Sequence, residues 1–318
     1  LEAHRLASER GVPYFANLLN ENQKYSVFSA SGCRLKADLH GDWEIDTLRT
    51  GCLGSVTVNL PRITYECEKN KTKFFELLKE RLEMATHALE IKYSALTQYG
   101  KGLLPFLMQS VNGDQYFRLE NCARIINLAG LRKTAEAFYG KSIDKDEKTL
   151  EITKEIVQSI LDFTHKIVKR REKRLYSAIL PDFEASERLA HLDIERYGIA
   201  RVRFSGTREE PFYSTVGRLT LREGRFSPES LVADGKSCGM NTGGSLTIME
   251  LGETELKPDE LMSITRQLVE GHSMEFFVYN RKLTYCTSCK RSWFGLLHKC
   301  PSCGAISTLA FFDRFSLA

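Results

Sequence analysis

Apolar residues recur at three-to-four spacing from Asn70 to about Tyr99: Phe74, Leu77, Leu78, Leu82, Ala85, Leu89 and Ile91. That period predicts one long amphipathic helix whose aliphatic stripe is core, ended by Gly100 and Gly102. Leu150, Ile152, Ile156, Val157, Ile160, Leu161 and Ile167 repeat the pattern and predict a second long helix from Asp144 to about Ser177. Shorter helices are expected at 1–10, closed by Gly11, after the apolar turn at 127–131, at 183–190, and at 258–270 with Pro258 in its first turn. β-Branched and aromatic runs between them read as strands: 12–20, Ser55 to Leu60 stopped by Pro61, Arg201 to Thr220, Ser245 to Leu251 behind Gly239, Gly243 and Gly244, and Phe276 to Tyr279. Strands alternate with long helices without a fixed repeat, so the fold class is α/β.

The strongest chemical signal lies near the C-terminal end. Cys286-Thr-Ser-Cys289 and Cys300-Pro-Ser-Cys303 are two Cys-x-x-Cys knuckles separated by the residues from Lys290 to Lys299. Four thiolates at this spacing converge on one tetrahedral zinc ion, each pair on its own tight turn. Gly304 suits the positive φ such a turn needs, and Tyr285, Trp293 and Phe294 are placed to shelter the sulfurs. A site with four cysteine ligands is coordinatively full, so the ion is structural: it replaces a core too small to hold the segment folded.

Composition adds little to that picture. The 318 residues are 42% hydrophobic and 27% charged, with a formal net charge of +4, ordinary for a globular chain. No dense basic stripe argues for nucleic acid. The basic run from Lys166 to Arg174 reads as a solvated helix end, although the ribbon's Lys290, Arg291, Trp293 and Lys299 leave a nucleic-acid contact as one reading. Cys33, Cys52, Cys67, Cys122 and Cys238 are scattered thiols beside the four of the ribbon, a usage that fits a reducing cytoplasm better than export. No apolar run approaches the roughly 20 residues of a membrane span.

Two cysteines sit in settings that can carry chemistry. Cys33 follows the small residues Ser29-Ala30-Ser31-Gly32 and precedes Arg34, which places it on a tight loop tip. Cys52 lies between Gly51 and Gly54 ahead of a strand, where the backbone can approach a neighbour closely. Taken alone, a cysteine in such a setting is usually a bystander thiol.

The order of motifs resembles the C-terminal half of the class III, oxygen-sensitive (anaerobic) ribonucleotide reductases. The resemblance rests on Pro13 to Asn17, Cys33-Arg34-Leu35, Gly51 to Arg62, Phe75 to Leu82, Gly130-Leu131, Glu184 to Ala190, Pro211 to Tyr213, Thr242 to Gly244 and the cysteine ribbon. It implies half or more of a ten-stranded α/β barrel with a central finger loop over 1–275, a zinc ribbon over 276–306, and a tail over 307–318 at the place of the glycyl radical loop. It implies that Cys33, on the finger loop, becomes a thiyl radical that removes the 3′ hydrogen of a ribonucleotide. Such a site must be dry, so that the radical meets only substrate. Cys52 matches a position beside the finger where a cysteine suits electrons drawn from a protein dithiol rather than from formate. Ser214, Thr215, Gly243 and Gly244 are the substrate-binding candidates. The partners implied are ribonucleoside triphosphates, a radical S-adenosylmethionine activase with an iron–sulfur cluster, the family's N-terminal half or a chain supplying it, and a second copy in a homodimer.

Two departures qualify the resemblance. Ser214-Thr215-Val216-Gly217 replaces the family's Thr-Asn-Ser-Thr, leaving hydroxyls and backbone N–H groups as the phosphate ligands. The family stores its radical on a glycine in an Arg-x-x-Gly-Tyr motif. Here Arg314 is in place, but Leu317 stands where that glycine is expected. The organic radical is therefore expected from the family but its glycine is not seen, and a non-catalytic regulatory or scaffold relative is the alternative reading.

Overall fold

The computed structural model describes residues 1–19, 23–143, 146–171, 174–221, 226, 242–253 and 255–315. Cys238, Gly239 and Leu317 lie outside the described residues.

A parallel sheet in the order Cys52–Asn59, Ala123–Ala129, Leu175–Ala178 forms the centre. Its middle strand is buried at every position, because both of its faces are covered. On one face, Ile126 and Leu128 meet Phe74, Leu78, Leu82, Ala85 and Leu89 of the helix Lys71–Leu103, and Ile152, Ile156, Val157 and Ile160 of the helix Glu147–Arg171. Burying each of these larger side chains contributes about 1.5–3 kcal/mol. On the other face, Ala123 and Ile125 pack with Cys33, Leu35 and Tyr176. A second sheet runs Tyr14–Ala16, Phe276–Asn280, Thr247–Glu250, Gly217–Thr220, antiparallel at the first pair and parallel thereafter. A parallel bridge between Ile179 and Ser245 connects the two sheets. The mixed α/β class is as the alternation predicts.

Several sequence expectations are corrected. The long helix does not stop at Gly100 but runs through it to Leu103, and Ile91, counted in its apolar stripe, is exposed. The run 127–131, read as a turn, is the end of the buried strand Ala123–Ala129 followed at once, through Gly130, by the helix Leu131–Tyr139. The second helix ends at Arg171, and Leu175–Ala178 is a strand rather than its continuation. Pro61 does stop a strand, yet it also opens the helix Leu60–Glu66, whose cap Asn59 accepts from Arg62 N–H at 3.1 Å. Arg174, read as part of a solvated helix end, is among the largest fully buried side chains.

Arg174 is tied into a polar knot below the Cys33 loop. It donates to the carbonyls of Asp46, Asn121 and Lys36 at 2.5, 2.9 and 2.8 Å, and lies 3.1 Å from the Asp38 carboxylate. The Tyr176 hydroxyl donates to Asp38. Asp46 is wholly buried and accepts from the backbone of Leu39, His40 and Gly41 and from the His40 ring. Burial raises its pKa, but the His40 and backbone hydrogen bonds and the Arg174 charge outweigh that, so the carboxyl is held below its ordinary value. A depressed carboxyl pKa adds stability that is present above the unfolded value of about 4 and lost as pH falls through the folded one. Urea unfolding from pH 6 down to pH 3 is therefore expected to show a falling midpoint, and Asp46→Asn to flatten that limb. An unchanged limb in the variant would remove Asp46 from the acid response.

Candidate active site and metal centre

Cys33 lies at the bend of a short hairpin, Val27–Phe28 against Arg34–Leu35. Its backbone N–H donates to Ser29 Oγ at 3.2 Å, and Ser29 N–H returns to Cys33 O at 2.9 Å. The thiol is 4% exposed, within the apolar cluster of Ala123, Ile125, Tyr176 and Leu180. The turn at 242–245 clamps the loop from behind. Arg34 N–H donates to Gly243 O at 2.9 Å. Gly244 has φ +91°, and a Cβ there would stand 2.2 Å from Gly32 O, so only glycine fits. A Cβ on Gly243 would stand 2.9 Å from Tyr176 Cβ. Both glycines were singled out as substrate ligands; here they pack directly beneath the Cys33 loop. Gly244→Ala is expected to lose about 1–3 kcal/mol in urea unfolding and to speed alkylation of Cys33. A variant as stable as the parent would mean that the loop and the turn are not in this contact.

Cys52 begins the edge strand of the parallel sheet and pairs in register with Ala123, a member of the Cys33 cluster. It is exposed where Cys33 is buried. The neighbouring Cys52 thiol, together with burial, drives the Cys33 pKa up. The Cys33 thiol, the Gly54 N–H and the Lys92 ammonium overcome desolvation and lower that of Cys52. The two shifts run in opposite directions, and the proton is held more firmly on Cys33.

Residues beyond the sequence reading complete the setting. Arg34 is buried and pairs with the buried Glu275 at 2.6 Å. Glu275 also accepts from Gln23 Nε2 at 2.5 Å. Burial raises the Glu275 pKa against the pull of Arg34. Arg34 follows Cys33 directly in the chain, a signal that marks it; Glu275 and Gln23 carry none.

Ser214 and Thr215 sit apart from the Cys33 cluster. Ser214, Gly130, Lys133, Ser205 and Gly217 help to line a cavity of about 260 Å³ at the C-terminal ends of the strands Ala123–Ala129 and Leu175–Ala178, the usual ligand position on a parallel sheet. Ser214 Oγ donates to Val216 O at 2.6 Å, and Thr215 is buried, its hydroxyl accepting from Asp182 N–H at 3.0 Å. Ile179 lines the cavity, and its neighbour Leu180 belongs to the Cys33 cluster, so one segment touches both places.

The ribbon is a three-stranded sheet with Leu283–Cys286 between Arg291–Phe294 and Leu309–Phe312. The sulfurs of Cys286, Cys289, Cys300 and Cys303 all lie within 4.8 Å of one another. Cys286 and Cys303 are 3.6 Å apart, as are Cys289 and Cys300. Sulfurs about 2.3 Å from a tetrahedral ion are about 3.8 Å from each other, so the cluster fits one metal ion. Gly304 has the expected positive φ, +74°.

A family model described as anaerobic ribonucleoside-triphosphate reductase matches residues 1–315. The chain belongs to the anaerobic ribonucleoside-triphosphate reductase family. The Haemophilus influenzae anaerobic ribonucleoside-triphosphate reductase is 30% identical over 239 residues, covering 68% of this chain and 32% of that protein. The enterobacteria phage T4 reductase of the same description is 25% identical over 248 residues, covering 74% and 39%. Among solved structures, an anaerobic ribonucleotide reductase superposes with a TM-score of 0.71 over 95% of this chain and 45% of that one, at 18% identity. The Thermotoga maritima enzyme in complex with dATP and CTP superposes with a TM-score of 0.63 over 83% and 43%, also at 18% identity. The chain thus spans between 32% and 39% of the length of these curated relatives. Among the described residues, no helix is long and apolar enough to cross a membrane.

Proposed function

We propose that this chain is the catalytic portion of an anaerobic ribonucleotide reductase, and that Cys33 is the residue whose thiyl radical takes the 3′ hydrogen from a ribonucleoside triphosphate. The observation that carries this reading is the Cys33 thiol: buried on a clamped loop, kept protonated, with Cys52 beside it. Hydrogen-atom transfer needs an intact S–H bond close in strength to the ribose C–H bond, and a radical survives only where solvent is excluded. Family membership supports the same chemistry.

In this reading the two sheets joined at Ile179 and Ser245 are part of the family's α/β barrel, over 1–275, with the Cys33 hairpin as its finger loop. The cavity beside Ser214, next to the buried Thr215, would take the triphosphate, with the Ser214 hydroxyl, released from Val216 O, and the N–H groups of the helix start after Gly130 as donors. Gly243 and Gly244 serve substrate indirectly, by letting the loop sit where it does. The four ribbon cysteines would hold zinc as a structural ion, the best match for four thiolates in a tetrahedral set. The rest of the enzyme, a radical S-adenosylmethionine activase and a homodimeric partner would complete the assembly in the cytoplasm.

The test is anoxic conversion of a labelled ribonucleoside triphosphate by the full-length protein with its activase. Deoxyribonucleotide above the level without activase supports the reading. Leu317, at the place of the family's radical glycine, favours a second one: a regulatory or scaffold relative. That reading expects no conversion and no glycyl-type doublet in electron paramagnetic resonance after activation.

A further inference from the structure

The cavity beside Ser214 carries a charge pattern that packing alone does not call for. Its wall includes the start of the helix Leu131–Tyr139. That helix has no side-chain cap and no acidic residue in its first turn; Arg132 and Lys133 stand there instead. The first N–H groups of a helix already carry partial positive charge, so cations beside them work against the dipole. Arg132 has partners of its own. Lys133 meets a carboxylate one turn on: its Nζ lies 2.8 Å from Glu136 Oε2, with side chains 22% and 19% exposed. Both residues line the cavity, and among the described residues on its wall Glu136 holds the one carboxylate. We propose that Lys133 and Glu136 are the specificity-determining pair of this cavity, selecting a triphosphate over shorter phosphate chains by exchanging the Lys133–Glu136 contact for a Lys133–phosphate contact. That the occupant is a substrate rests on the proposed function; the exchange itself rests on the pair and the wall it lines.

The two states of Lys133 differ in one contact. At rest it is held by a carboxylate three residues along the same helix, a pairing that is weak where water reaches it. A phosphate chain lying against the helix start offers a stronger acceptor, because the bond then carries a full charge on both sides. Taking Lys133 away leaves the Glu136 carboxylate unpaired beside an anion, so the exchange has a cost. A short chain brings little charge and leaves the pair closed. A triphosphate brings more charge, extends further along the wall, and meets the cost. Glu136 thus acts against the shorter ligands and Lys133 for the longest one. The hydroxyls nearby are already engaged at rest. Ser214 Oγ donates to Val216 O at 2.6 Å, and the buried Thr215 accepts from Asp182 N–H at 3.0 Å. The discrimination therefore falls on the charged pair.

The experiment reads this wall locally in the full-length protein, by hydrogen exchange of the peptide that holds Leu131–Tyr139. N–H groups that donate to phosphate exchange slowly, so the midpoint of protection gives the affinity at the cavity and not at sites elsewhere. Inorganic tripolyphosphate and pyrophosphate are each titrated. In the parent, tripolyphosphate is expected to protect at the lower concentration. Lys133→Gln is expected to raise the tripolyphosphate midpoint by about tenfold, the effect of losing one charge-assisted bond, with little change for pyrophosphate. Glu136→Gln is expected to lower the pyrophosphate midpoint by roughly threefold, and that of tripolyphosphate by less, so that the two ligands draw together. Lys133→Arg keeps the charge and is expected to stay close to the parent, which separates the loss of a cation from a misfolded helix.

A Lys133→Gln midpoint equal to that of the parent would overturn the exchange. So would a Glu136→Gln variant that binds either ligand more weakly, or a parent that does not distinguish the two chains. If neither ligand protects the parent, the pair and the placement of the triphosphate fall together, and turnover alone then judges the thiyl reading. Midpoints that shift as expected in a protein without turnover uphold the pair and sink the proposed reaction.

Discussion

Cys33→Ser in the assembled enzyme is expected to lower nucleotide reduction by about 10⁴-fold or more, the scale seen when a group that takes part in the chemistry is removed. Serine keeps the shape of the side chain. What it loses is the weak bond: an alcohol O–H is much stronger than S–H, so an oxygen radical could not form at this position under the same driving force. The loop itself does not depend on the sulfur. Its fixed points are Ser29 N–H to Cys33 O, Arg34 N–H to Gly243 O and the Arg34–Glu275 pair. Stability is therefore expected to change by only about 1 kcal/mol, and substrate binding, read by equilibrium dialysis of the nucleotide, should be close to that of the parent. Loss of turnover with folding and binding retained is a signature that a structural role for Cys33 does not give. A serine variant with more than a tenth of parental activity would end the thiyl assignment.

How far the chain could be read in advance depended on what each segment touches. The helix Lys71–Leu103 was legible because only one of its faces is buried, and the burial leaves a period in the sequence. Its end was misjudged because Gly100 is itself buried against Met108, where a small residue is wanted for packing rather than for a turn. The strand Ala123–Ala129 escaped because it is covered on both faces, so its residues carry no alternation. The strand Leu175–Ala178 escaped because it is short and follows a basic helical run directly. The site divides in the same way. Cys33 and the ribbon cysteines announce themselves by local spacing and motif. The partners that hold the loop do not: Glu275 meets Arg34 from 241 residues away, and Asp38 and Lys36 meet Arg174 across 138 or nearly so. Such pairings are made by the fold and leave no trace in the local sequence.

Removing the proposed zinc is expected to unfold the ribbon and leave the body of the molecule standing. The ribbon has little core of its own. Thr284, Cys286 and Cys300 are buried there, whereas Leu296, Ile306, Phe311 and Phe312 are exposed. With so few apolar contacts, the metal supplies the folding free energy, on the order of 10–16 kcal/mol for a site of four such ligands at neutral pH. The body has independent anchors where the ribbon joins it. Arg281 donates to Ser8 O at 2.9 Å and Gly252 O at 2.8 Å, and both bonds lie outside the ribbon sheet. What it loses with the ribbon is the face of Phe294, 4.1 Å from its guanidinium, a contact of roughly 0.5–2 kcal/mol. Hydrogen exchange separates the two regions. In Cys300→Ser, or after chelation under reducing conditions, amides of Leu283–Cys286 should lose nearly all protection, while those of Ala123–Ala129 keep theirs. Metal analysis should give about one zinc per parent chain and far less in the variant, and cobalt in its place should show the absorption of tetrahedral thiolate coordination. A metal-free, fully reduced chain whose ribbon amides stay protected would show that the four sulfurs are held together by the protein alone. The convergence of Cys286, Cys289, Cys300 and Cys303 would then need a cause other than a metal.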